Sequence, residues 1–240
     1  MPTRSVSSQR LSAVILAAKA RQELALIASL PVNDLAYAQA ALRGGAHALK
    51  LHFGLTHRAS QQVAPTLADQ PDLIARLRDL APDVPLGAVL GDQPGTVDAA
   101  LDLAAECGLD FISGYAHALP ARAFEAGPEV LVALDDRSPP SWAGLLPPGA
   151  LLEASVIPHS DYGGPLTVAD LLRYADLRRR TGALLIVPTQ KHIRPADLVA
   201  LRVAGADALM YGVIVTGPDA AGFETAAVHY RAGERRTDHP

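Results

Sequence analysis

Only one cysteine, Cys107, occurs in the 240 residues, which excludes an internal disulfide framework and fits a reducing, cytoplasmic compartment. It follows Glu106 near the end of an expected helix and reads as a buried, inert thiol. Aromatic residues make up 5% of the chain, so a core must be built from alanine, leucine and valine. No apolar run reaches the roughly 18 residues of a membrane span, and no membrane partner is expected. A dominant charge is also missing, because 21 Lys and Arg stand against 25 Asp and Glu for a net charge of −4. That leaves no basic excess to favour nucleic acid. The densest basic run, Arg178-Arg179-Arg180, falls in the last turn of an expected helix, where cations suit the dipole. A G-x-G-x-x-G fingerprint after the first strand and a Walker motif are both lacking, which counts against an open doubly wound sheet.

With 49% hydrophobic residues the chain can bury a large core without disulfides or metals. The apolar runs are short and bounded by glycine, proline and aspartate, as in strands buried on both faces. Eight are expected: Glu23 to Leu30, Ala46 to Phe53, Val84 to Gly91, Asp110 to Gly114, Glu129 to Asp136, Ala150 to Ile157, Ala183 to Val187 and Ala206 to Tyr211. Helical patterns lie between them. Asn33 is expected to cap the first and Gly44-Gly45 to end it, while Thr167 and Asp170 form a T-x-x-D capping arrangement before LLRYADLRRR. Two crossovers are weak, PARAFEA after the fourth strand and the proline-rich stretch around Trp142 after the fifth. Strands alternating with helices over this length predict a single-domain (β/α)8 TIM barrel.

The barrel is expected to span residues 23–232, with an N-terminal arm over 1–22 and a fraying tail over 233–240. The segment RLSAVILAAKA superficially resembles a signal peptide. Its apolar core is short and a strand follows almost at once, so a lid helix across the barrel's N-terminal face is the expectation. The stretch GLTHRASQQVAPTLADQPD after the second strand exceeds what a barrel loop needs, and loops of that size tend to be functional or mobile.

Side chains alternate along a strand, so residues two apart share a face. In AHALKLHF the large apolar Leu49, Leu51 and Phe53 fall together toward the helices, which turns Lys50 and His52 inward. The same logic places Glu153 and Ser155 inward, and Asp135 inward at the end of its strand. Charged residues are seldom fully buried unless paired. Lys50 and Glu153 therefore read either as a structural ion pair or as chemistry: a lysine of lowered pKa serving as Schiff-base nucleophile or acid/base, with a glutamate of raised pKa shuttling a proton. Around the rim, His57 and Arg58, then His159, Asp161 and Tyr162, then Gln190, Lys191 and His192 follow three different strands and make a partly cationic mouth suited to a small anion. His159 and Asp161 are spaced to meet a divalent ion, but no third ligand matches, so no metal and no cofactor are expected. Asp92 in GDQPG reads equally as a turn residue.

Phosphate is the expected anion. Loops after the seventh and eighth strands commonly hold it in such barrels, which points to Gly212, Thr216 and Gly217, with Lys191 or Arg194 adding charge. Gly217-Pro218 also reads as plain helix punctuation.

The run GADALMYGVIVTGPDAAG resembles the last strand and phosphate loop of the ribulose-phosphate-binding barrel superfamily. Together with ALRGGAHALKL, VPLGAVLGD and RPADLVALRVAGADALMYGVIVTG, about a third of the chain is similar to the N-acetylmannosamine-6-phosphate 2-epimerase family. The resemblance implies a phosphate-binding barrel enzyme. It departs where that family carries a lysine after the third strand, since Gly91-Asp92-Gln93 stands there, and VPTQKHI does not follow the family pattern either. The expected activity is proton transfer next to the carbonyl of a small phosphorylated sugar, giving isomerisation or epimerisation. A class I aldolase using Lys50 and a non-catalytic phospholigand binder are the alternatives, and the apolar helices offer a surface for a homo-oligomer.

Overall fold

Each short apolar run forms a strand with its small and branched side chains packed on both faces. A computed structural model describes residues 10–235. The strands are β1 Ala25–Ser29, β2 Ala48–His52, β3 Leu86–Val89, β4 Phe111–Tyr115, β5 Glu129–Asp135, β6 Leu151–Ser155, β7 Leu184–Pro188 and β8 Ala208–Tyr211. All neighbours are parallel and follow sequence order, and β8 pairs back onto β1 to close the barrel. The helices are α1 Leu11–Ala20, α2 Leu35–Arg43, α3 Pro71–Leu80, α4 Pro94–Glu106, α5 Val168–Arg180, α6 Leu198–Val203, α7 Val213–Thr216 and α8 Ala220–Arg235. The two weak crossovers contain only the 3-10 turns Ala121–Glu125 and Pro140–Leu145, because proline denies the second an α-helix. The fold is a single-domain (β/α)8 barrel.

The interior changes character along its axis. Toward the N-terminal end, Ala25, Ile27, Ala48, Phe111, Leu131, Leu151, Leu184, Ile186, Ala208 and Met210 form one apolar cluster with Leu11, Ile15 and Ala18 of α1. Helix α1 therefore lies across the barrel floor, with its Ser12 hydroxyl and N–H donating to the Glu129 carboxylate. Gly87 on β3 makes room for Phe111, whose ring would lie 2.4 Å from any Cβ there. Toward the C-terminal end the inward positions become Ser29, Lys50, His52, Ser113, Tyr115, Glu153 and Ser155. Leu49, Leu51, Phe53, Leu152, Ala154 and Leu134 face the helices in the outer core, as alternation requires.

A repeated device pins the strand starts. Asp110 before β4 accepts from Leu86 N at 2.8 Å and pairs with Arg78 of α3 at 2.7 Å. Asp207 before β8 accepts from Leu185 N at 2.8 Å and pairs with Arg178 of α5 at 2.8 Å. His47 before β2 accepts from Leu26 N at 2.9 Å through Nδ1. In each case a residue just outside one strand satisfies a backbone donor of the strand before it.

Several local expectations change. Asp34, not Asn33, caps α2 by accepting from Ala36 N, since Asn33 is committed to the β2 backbone, donating to His52 O at 2.7 Å and accepting from His52 N at 3.1 Å. The tail boundary at 233 falls inside α8, where Glu234 is buried and accepts from Leu24 N; residues 236–240, like 1–9, lie outside the described residues. Cys107 is only half-buried, and burial together with Glu106 raises its thiol above the usual value. Among the described residues no helix is long and apolar enough to cross a membrane.

Candidate active site

A cavity of about 290 Å³ opens at the C-terminal ends of the strands. Lys50 and Glu153 meet on its floor. They reach it from β2 and β6, and Lys50 Nζ donates to Glu153 Oε2 at 2.8 Å. The residues are 5% and 6% exposed, so the pair is desolvated on every side but the cavity. Ser113 Oγ donates to Glu153 Oε2 at 3.2 Å and Ser155 Oγ to Oε1 at 2.8 Å, and Met210 Sδ lies 3.4 Å from Nζ.

Burial alone would raise the Glu153 carboxyl, but the Lys50 ammonium and the hydrogen bonds from Lys50, Ser155 and Ser113 outweigh it and hold the group below its ordinary value. This reverses the raised glutamate expected from the sequence. The protein therefore keeps Glu153 as a carboxylate.

Two histidines stand beside the pair, with ring centroids 4.4 Å apart in an edge arrangement. Burial lowers His52 well below the usual histidine value, helped by His57 and Lys50, and outweighs the hydrogen bond to Leu30. Burial and Lys50 lower His57 to about 4 despite Glu153. Both rings are neutral at pH 7, and their partners fix the tautomers. The Leu30 carbonyl, 2.9 Å from His52 Nδ1, can only accept, so Nδ1 carries the proton and Nε2 keeps its lone pair. Ser60 N–H donates to His57 Nδ1 at 3.2 Å, which leaves the His57 proton on Nε2.

The long loop after β2 is a structured hairpin. Thr56 bridges Val63 antiparallel, His57 N donates to Gln62 O at 2.8 Å, and Gln61 N returns to His57 O at 2.8 Å. It sets Arg58 with its guanidinium carbon 4.6 Å from the centroid of the Tyr115 ring. Across the mouth, Gln190 Nε2 donates to Tyr162 OH at 2.6 Å, and Thr189 Oγ1 accepts from Gly212 N at 3.0 Å.

Of the residues singled out in the sequence, Lys50, His52, Glu153, Ser155, His57, Arg58, Asp92, Tyr162, Gln190 and Gly212 line the cavity. Asp161, His192 and six others do not. Asp135 turns into its own loop, accepting from Ser138 Oγ and from Arg137 and Ser138 N–H groups; burial opposes this, but these bonds hold its carboxyl low. His159 is exposed, with Nε2 3.4 Å from Arg58 O. Lys191 is buried away from the mouth, 3.8 Å from Asp170. Arg194 is paired with Asp197 at 2.8 Å in its own turn. Thr216 donates to Gly217 O, and Gly217 closes α7. A short helix, α7, follows Gly212 before α8 begins at Ala220, and its Val213 and Ile214 reach the cavity. Among the described residues no group of three or more His, Cys, Asp or Glu is arranged to hold a metal ion.

Ser113, Tyr115, His117 and Thr189 line the cavity without having been singled out. Alternation in FISGY offered a signal for two of them, because Ser113 and Tyr115 share the inward face with Phe111. His117 stacks on Tyr115 at 5.5 Å from the following turn, which no periodicity marks.

No family model matches the chain, and no curated protein matches it. Solved structures do. Phosphoribosyl anthranilate isomerase from Thermus thermophilus superposes with a TM-score of 0.63 at 20% identity, over 88% of this chain and 98% of that one. The tryptophan synthase A-subunit from Pyrococcus furiosus gives 0.65 at 15% identity, over 87% and 98%. Thiamine phosphate pyrophosphorylase from Pyrococcus furiosus gives 0.61 at 14% identity, over 89% and 96%. These likenesses show the fold alone. None of them confirms the narrower resemblance to the epimerase family.

Proposed function

We propose that the cavity is the active site of an enzyme acting on a small phosphorylated carbonyl compound, moving a proton next to the carbonyl to isomerise or epimerise it. The observation that carries this reading is the buried Lys50–Glu153 pair at the floor of an open cavity, at the barrel end where (β/α)8 enzymes hold their chemistry. Glu153 is the carboxylate that removes the proton, and the Lys50 ammonium faces the carbonyl oxygen as it gains negative charge. A substrate entering between them breaks the 2.8 Å contact. Burial then acts on Glu153 with less opposition and makes it a stronger base at the moment it is needed. His57 Nε2–H and His52 Nε2 offer one donor and one acceptor to the substrate hydroxyls.

Phosphate is assigned to the end of the cavity formed by Gly212, Val213 and Ile214, where glycine leaves the backbone open after β8. Two of the structural relatives are named for phosphorylated compounds, which supports the same substrate class here. Lys50 as a Schiff-base nucleophile is the second reading, favoured by its position against the reacting centre with Glu153 placed to take the proton it must lose.

The test is solvent-deuterium incorporation into a panel of aldose and ketose phosphates, followed by mass spectrometry. Exchange at the carbon beside the carbonyl is expected with the native protein, reduced about 10²–10⁴-fold in Lys50→Met and Glu153→Gln. Borohydride-trapped mass on Lys50 would move the assignment to the Schiff-base reading. Ligand-dependent thermal stabilisation without exchange or trapping anywhere in the panel would leave a phospholigand-binding barrel.

A further inference from the structure

The proposed reading leaves one cavity cation without employment. Lys50 is paired with Glu153, and most arginines of the barrel's flanks are paired too, including Arg78 with Asp110, Arg178 with Asp207 and Arg194 with Asp197. Arg58 is the single arginine lining the cavity, and among the described residues it has no carboxylate in ion-pair reach. Asp92, the other acidic residue of the lining, makes no ion pair with it. The Arg58 head is nevertheless held in place. It lies 4.6 Å over the Tyr115 ring, a cation–π contact that fixes its plane, and its carbonyl is anchored by Gln61 Nε2 at 2.6 Å.

Tyr162 completes the arrangement. Its phenol oxygen already accepts from Gln190 Nε2 at 2.6 Å, so its proton is free to be donated. Burial raises this phenol against the effects of Gln190 and Arg58, which keeps the proton on the oxygen. A guanidinium fork from the β2 loop and one O–H donor from the β6 loop face the cavity, and Arg58 is stacked over Tyr115 of β4, four strands round the barrel from β8 and Gly212.

We infer that Arg58 and Tyr162 form a carboxylate subsite, so that the substrate carries a carboxylate at one end, its phosphate at the other and the reacting carbonyl between. This rests on the phosphorylated-carbonyl reading and narrows it to a phosphorylated oxo acid or sugar acid. The charge count favours carboxylate over a second phosphate, because a single guanidinium with a neutral phenol matches one negative charge, and the planar fork fits two coplanar oxygens.

Calorimetric titration of the full chain with matched acid and alcohol phosphates tests it. The pairs are 3-phosphoglycerate against glycerol 3-phosphate and 6-phosphogluconate against sorbitol 6-phosphate. The native protein is expected to bind the acid of at least one pair about tenfold more tightly, equivalent to about 1.4 kcal/mol. Arg58→Met should erase that preference while leaving the alcohol's affinity and the unfolding midpoint unchanged, and Arg58→Lys should retain part of it. Equal affinity for acid and alcohol in the native protein, or a preference that survives in Arg58→Met, overturns the subsite alone. Equal weakening of both by Arg58→Met overturns it by placing the phosphate at Arg58. Failure of all four compounds to bind removes the subsite and the phosphate assignment together, and the deuterium-exchange panel then reports separately on the chemistry.

Discussion

Charges are buried at both ends of this barrel, and the two ends do it for different physical reasons. At the N-terminal end Asp110 and Asp207 each accept a backbone N–H from the preceding strand and hold an arginine that also caps carbonyls, Gly108 O for Arg78 and Ala183 O for Arg178. Their bonds all go to the fold. At the C-terminal end Glu153 is surrounded by Lys50, Ser113 and Ser155 and, among the described residues, accepts from side chains alone. That pair holds no strand in register, and a cavity opens onto it. Buried ion pairs are poor contributors to stability when a well-packed apolar pair would serve, so the position of the second pair is better explained by what enters the cavity.

Among single substitutions the largest effect should come from breaking the first kind of pair. Asp207→Ala strands the Leu185 N–H and leaves Arg178 and Lys19 without their carboxylate, and urea unfolding should show a loss of about 3–5 kcal/mol. Lys50→Met leaves a buried carboxylate alone but in reach of cavity water, so about 2–3 kcal/mol is expected at pH 7. That deficit should shrink as the pH falls and Glu153 in the variant takes up a proton.

A pH effect of another origin sharpens the contrast. His47 and His57 are lowered to about 4, chiefly by burial, and His52 falls well below the ordinary 6.5. Below about pH 6.5 the unfolded chain binds protons that these folded imidazoles refuse. Stability is therefore complete above that pH and declines toward pH 4, by about 1.4 kcal/mol per pH unit for each proton. Denaturant midpoints measured from pH 7.5 to 4 should show it, and His57→Gln should flatten the slope by about one proton. The smallest effect is remote from both pairs: Thr167→Ala removes the α5 capping box and should lower stability by about 1 kcal/mol.

How much could be read from the sequence follows the same division. Strand runs and the period of two turn Lys50, His52, Glu153 and Ser155 inward from the sequence alone, because alternation is a property of the backbone itself. The rim obeyed no such rule. Lys191 follows Gln190 directly, yet tight turns through Gln190 N to Pro188 O and Ile193 N to Lys191 O send its side chain toward Asp170. Arg194 finds Asp197 three residues on, and the short α7 between Gly212 and Gly217 withdraws Thr216 and Gly217 from the cavity. Loop side chains are aimed by local hydrogen bonds that periodicity does not encode. Asn33 shows the same limit, since its partner is the backbone of His52 on a neighbouring strand.

The distinction between the two kinds of pair rests most directly on equilibrium unfolding of the Lys50→Met/Glu153→Gln double variant at pH 7, which removes both charges while keeping the volumes. A pair kept for chemistry predicts a double variant at least as stable as the native protein, within about 1 kcal/mol. A loss of about 3 kcal/mol or more, matching Asp207→Ala, would contradict it and make Lys50 and Glu153 part of the scaffold.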